Sequence, residues 1–98
     1  MQYRQGDVLI ETVEAVPPDA KEATGPVILA EGEATGHAHK IKARHAKLYE
    51  SAAGRFLTLA RPARVVHEEH APIALPAGNF RVTRQREYSP EAIRNVAD

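Results

Sequence analysis

Ninety-eight residues, 43% hydrophobic and 27% charged with a formal net charge of zero, suit one small domain near the lower size limit for folding without a metal or an oligomer interface. The absence of cysteine excludes disulfides, thiolate zinc sites, iron–sulfur clusters and thiol nucleophiles, so any metal must take nitrogen and oxygen ligands. The amino terminus has no basic lead into an apolar run, and Val27-Ile28-Leu29-Ala30 is far too short to cross a bilayer, so a soluble, cytoplasmic protein with no membrane partner is expected.

In chain order, Asp7-Val8-Leu9-Ile10-Glu11-Thr12-Val13 is rich in β-branched residues and predicts a first strand after Gly6. Val16-Pro17-Pro18-Asp19 ends it, Thr24-Gly25-Pro26 marks a second turn, and Val27-Ile28-Leu29-Ala30 reads as a buried strand. Gly32 and Gly36 bracket a tight loop. From His37 to Arg44 the odd positions are His37, His39, Ile41 and Ala43 and the even ones Ala38, Lys40, Lys42 and Arg44, an alternation that predicts a half-buried strand with its histidines inward. Lys47-Leu48-Tyr49-Glu50 and Phe56-Leu57-Thr58-Leu59-Ala60 flank Ala52-Ala53-Gly54-Arg55 as a hairpin. A strand around Arg64-Val65-Val66-His67 runs into a second histidine pair, Leu75-Pro76-Ala77-Gly78-Asn79 is a turn, and residues 80–88 predict a last long strand. Ser89-Pro90-Glu91 has the order of a helix start, which predicts a short helix over 90–96. Closely spaced strands with little helix predict an all-β fold, a small antiparallel β-barrel or sandwich with a short C-terminal helix, spanning residues 1–98 as one domain.

Four of the five histidines fall in two tight pairs, His37-Ala38-His39 and His67-Glu68-Glu69-His70. Neutral imidazole is the commonest nitrogen ligand for divalent zinc or iron. On a strand, His37 and His39 leave the same face with alpha carbons about 6.5–7 Å apart, so both can turn toward one ion. His67 and His70 have opposite parity on a straight strand, so both reach the same ion only if the chain turns there, and Pro72 favours such a turn. The candidate metal ligands are therefore His37, His39, His67 and His70, with Glu68 and Glu69 as a further oxygen ligand or general base. Three protein ligands would leave an open position for water or substrate, and four would close a structural site; the spacing permits both.

Gly36-His37-Ala38-His39 and Pro76-Ala77-Gly78 in a small β protein resemble the cupin pattern, in which a barrel holds a metal through His-x-His, a glutamate and a later histidine. That resemblance implies a metal barrel and carries over only His37 and His39, since Ala43 or Arg44 stands where the cupin glutamate falls and Arg81 where its later histidine falls. Gln5-Gly6-Asp7-Val8, Thr35-Gly36-His37-Ala38-His39 and Arg84-Gln85-Arg86-Glu87-Tyr88 also resemble small bacterial or phage-type proteins, a likeness that implies no function.

His67-Glu68-Glu69-His70 is not the zincin His-Glu-x-x-His, because its histidines are three apart, and no P-loop or Gly-x-Ser-x-Gly element is present. Arg81, Arg84 and Arg86 form a candidate anion-binding strip for a small anionic substrate at the metal. Charge is segregated: residues 1–36 carry two basic and seven acidic side chains, residues 37–66 seven and one, and residues 67–98 four and five. The middle band, Lys40 to Arg64, pairs with the acidic first third across a sheet or, in the alternative reading, makes the chain an interaction module for nucleic acid or an acidic protein. Two Phe and three Tyr supply few faces for base stacking. A pocket enclosed by a chain this small would be helped by a second copy, which makes a homo-oligomer a candidate partner.

Overall fold

The residues described by the computed structural model, 1–32 and 36–85, form ten strands, every pairing antiparallel, and no helix. β1 (Gln2–Gln5) and β2 (Val8–Val13) make a hairpin around the two-residue loop Gly6-Asp7. Gly6 has φ 61°, and this first central position is where type II′ hairpin turns require glycine. β3 (Lys21–Glu22), β4 (Val27–Glu31), β5 (Ala38–Ile41), β6 (Ala46–Ser51), β7 (Gly54–Leu59), β8 (Ala63–Val65), β9 (Ile73–Leu75) and β10 (Gly78–Arg84) follow.

The strands group into a six-stranded sheet of order β1-β2-β10-β7-β6-β3 and two ribbons, β4-β5 and β8-β9. Period-two alternation turns Val8 and Ile10 of β2, Leu57 and Leu59 of β7, and Phe80 and Val82 of β10 into one core. Leu29 and Ile41 from the first ribbon and Val65 and Leu75 from the second join that core, so both ribbons pack on the sheet. Burying side chains of this size stabilises by about 1.5–3 kcal/mol each, which ties the ribbons to the sheet.

The all-β, antiparallel expectation holds, but the sheet is not closed into a barrel. Among the described residues β1 pairs only with β2 and β3 only with β6, and four strands are spent on the separate ribbons. The expected helix over 90–96 lies outside the described residues. The histidine strand is shorter than the alternation over 37–44 predicts: it ends at Ile41, and a turn closed by Ala46 N–H donating to Ala43 C=O at 3.1 Å follows. β1, β3 and β9 were not legible as strands, being short and weakly patterned. No described helix is long and apolar enough to cross a membrane.

Candidate metal centre

A single antiparallel bridge brings the two histidine pairs together. Lys40 N–H donates to Val66 C=O and Val66 N–H to Lys40 C=O, both at 2.9 Å. Extending that register one residue outward sets His39 opposite His67, in the position where antiparallel side chains approach most closely. Their ring centres are 4.3 Å apart, the shortest such separation in the cluster. The next pairs outward are Ala38 with Glu68 and His37 with Glu69, and both make contact: Ala38 N–H donates to Glu68 Oε1 at 3.0 Å, and His37 Nδ1 lies 3.7 Å from Glu69 Oε2.

After Val66 the chain bends over residues 68–70 and returns as β9, so His70 rejoins the cluster despite its parity. Its ring centre is 4.6 Å from that of His67 and 5.9 Å from that of His39, and His37 stands 5.7 Å from His67. Imidazoles sharing an ion through nitrogens about 2.0–2.1 Å from it have ring centres about 4.5–5.2 Å apart for angles of about 90–110° at the ion, a spacing these separations bracket. All four expected histidines are thus neighbours. The tightest convergence of ligand atoms, all within 4.8 Å of one another, joins His37, His67 and Glu68.

His39 is 4% exposed, and its environment fixes which nitrogen carries the proton. The buried Gln5 amide donates through Nε2 to Val65 C=O at 3.0 Å and Ala71 C=O at 2.9 Å, so Gln5 Oε1 can only accept. The 2.8 Å contact between that oxygen and His39 Nδ1 therefore has Nδ1–H as donor, leaving the Nε2 lone pair bare. Gln5 also clamps both ends of the His67–His70 segment, because Val65 and Ala71 flank it.

His39 Nε2 looks toward Asp7 Oδ1 at 3.6 Å, while Asp7 Oδ2 accepts from Arg84 Nε at 3.2 Å. Burial, reinforced by the nearby His67, pushes the His39 pKa below its usual value against the opposing pull of Asp7. For Asp7 partial burial acts upward, but the Arg84 hydrogen bond and charge outweigh it and hold the carboxyl below its usual range. His70 rests on the same hairpin: a Cβ added to Gly6 would lie 2.6 Å from His70 Nε2.

Glu68 is held as a carboxylate, first by the Ala38 N–H and then by its own backbone amide, with Lys40 Nζ 3.9 Å away. A lowered pKa makes it a better oxygen ligand than general base. Glu69, its side chain 67% exposed, reaches His37 only at the rim. His67 Nδ1 accepts the Glu69 N–H at 3.0 Å, so ligation by His67 releases that amide through either nitrogen: Nδ1 is taken by the ion, or it takes the proton that Nε2 gives up.

Arg81 and Arg84 do not share a face, because they differ by an odd number of residues on β10. Arg81 donates to Ala53 C=O at 2.8 Å and lies over the Phe56 ring, whereas Arg84 is paired with Asp7. Arg86 lies outside the described residues. Among the described residues, the ion pairs of the basic band run from Arg55 to Glu50 and from Lys40 to Glu68, not to residues 1–36. Sequence reasoning missed Gln5, Gly6 and Asp7 as site residues; their one signal was the motif Gln5-Gly6-Asp7-Val8, which carried a resemblance without a role.

Fold and site together define a small antiparallel all-β domain with an imidazole and carboxylate cluster where its two ribbons meet the β1-β2 hairpin. Residues 4–85 match the family model described as a domain of unknown function (DUF8820), and the chain belongs to that family. The match carries no cupin relationship. No curated protein and no solved structure matches the chain.

Proposed function

We propose that this domain binds a divalent metal ion, zinc or iron, at the histidine cluster, with His37, His67 and Glu68 as the ligands nearest to convergence. The observation that supports this is the set of ligand atoms within 4.8 Å of one another, drawn from two segments about thirty residues apart in the chain and walled by His39 and His70. Bonds of about 2.0–2.2 Å draw these side chains inward, and the exposure of Glu68 leaves room for that movement. Three protein ligands leave a fourth position open. A cleft of about 200 Å³ lined by Ala38, Lys40, Lys42, Val66, His67 and Glu68 adjoins it, and its two lysines suit an anionic small molecule as the exogenous ligand, in place of the divided arginines.

The test is metal analysis of protein loaded with zinc or iron(II) and dialysed, paired with thermal melts with and without chelator. At a hundredfold excess over Kd, metal stabilises by about 2.7 kcal/mol. For a domain of this size that raises Tm by about 10–20 °C. His37→Ala and His67→Ala should remove the ion and the shift together. Wild-type protein that retains no metal and melts identically with and without chelator sinks this reading.

A further inference from the structure

We propose that Asp7 and His39 hold a cation of their own, beside the one at His37, His67 and Glu68, through Asp7 Oδ1 and His39 Nε2 with His70 alongside. His39 Nδ1–H is spent on Gln5, so the nitrogen facing Asp7 presents a lone pair. A carboxylate oxygen lies 3.6 Å away, and the imidazole between them and the core is 4% exposed. An imidazole lone pair withdrawn from solvent and a carboxylate oxygen facing it repel unless positive charge lies between them, and the 32% exposure of the Asp7 side chain leaves an ion a way in. At 3.6 Å no direct hydrogen bond links them. A metal ion can: with bonds of about 2.0–2.2 Å, ligand atoms 3.6 Å apart subtend about 110–130° at the ion, near the tetrahedral angle.

The surroundings fit that occupant. His70 stands 5.9 Å from His39, centre to centre, with the planes only 16° apart, and its Nε2 sits directly over Gly6, the residue before Asp7. The missing Cβ of Gly6 is what lets it do so. Arg84 Nε holds the other carboxylate oxygen, Oδ2, and leaves Oδ1 to His39, while its charge competes with an incoming cation. Gln5 fixes the ring that supplies the nitrogen, as partners of metal-bound histidines commonly do.

The inference extends the proposed reading but uses different ligand atoms, so the two separate by experiment. Zn²⁺ alone is the probe: protein is equilibrated with it, dialysed, and metal per chain is measured, with cadmium NMR as a second count. Wild type should hold two ions, Asp7→Asn one, and His37→Ala one, with circular dichroism showing that each variant is folded. One ion in wild type that Asp7→Asn leaves in place overturns the second site and spares the first. One ion lost in Asp7→Asn but kept in His37→Ala supports the Asp7 site and overturns the His37 reading, and no ion at all overturns both. Arg84→Gln keeps Asp7 and removes its competing cation, so it should tighten one of the two ions several-fold. Affinity unchanged or weakened in that variant overturns the Asp7 site however Asp7→Asn folds.

Discussion

Gln5 is the residue on which the cluster's geometry converges, since one amide orients His39 and ties down both ends of the segment carrying His67 and His70. Gln5→Leu keeps the volume but strands the buried Val65 carbonyl and the buried His39 ring N–H, and frees the part-buried Ala71 carbonyl to solvent; with a cost of about 1–3 kcal/mol for each unsatisfied buried group, not fully additive, the loss should be about 2–4 kcal/mol. Denaturant unfolding of the metal-free protein measures it, and metal affinity should fall about 10–100-fold in the same variant. A loss under half a kcal/mol would mean the amide network is dispensable. Gly6→Ala meets two penalties at once, a positive φ and the His70 ring where its Cβ would go. It should destabilise by about 1–3 kcal/mol and weaken metal binding. Both residues stand in the sequence as ordinary turn and strand-end types, and neither has a ligand's chemistry. Their roles arise from partners more than 30 and 60 residues away, which a single sequence does not display.

At the scale of elements, the alternation from His37 made the inward face of β5 legible, because a strand's two faces differ in solvent and its side chains must sort accordingly. The pairing of β5 with the β8 end was not legible. Register between distant strands is set by tertiary packing, and only after Lys40 and Val66 are known to face each other do His39 with His67, Ala38 with Glu68 and His37 with Glu69 fall into line. The bend at 68–70 likewise brings the His70 ring back beside that of His67 despite their opposite parity. Val66→Pro removes the N–H that Lys40 C=O accepts and should uncouple the ribbons. The expected result is a folded or partly folded domain with metal affinity reduced at least tenfold, read by zinc titration. Val66→Thr, which keeps the amide, is the control and should bind as wild type; equal loss in both variants would assign the effect to the Val66 side chain and not to the bridge.

For the whole molecule, pH dependence in the presence of chelator tests the electrostatics of the cluster without its metal. Burial holds the His39 pKa below its ordinary 6.5, so the unfolded chain takes up that proton before the folded one. Below about 6.5 the unfolded state then binds more protons, and stability falls as pH falls through the interval between 6.5 and the folded value. Asp7 adds a second, more acidic step of the same sign: its carboxyl is held below the ordinary 3.8, so the stability it contributes is present above 3.8 and is lost as pH falls through its folded value. Melting temperature should therefore be flat near neutrality, decline below about pH 6.5, and decline again below about pH 4. Arg84→Gln should blunt the second decline strongly and the first only slightly, because it removes the hydrogen bond and charge that lower Asp7 but only the weakest of the named influences that lower His39. Saturating metal should raise the plateau and steepen the first decline, since protons and metal compete for the same imidazole lone pairs. A chelated protein whose melting temperature rises between pH 7 and pH 5 would contradict the assignment of His39 as a buried neutral imidazole, and with it the bare Nε2 on which the Asp7 site depends.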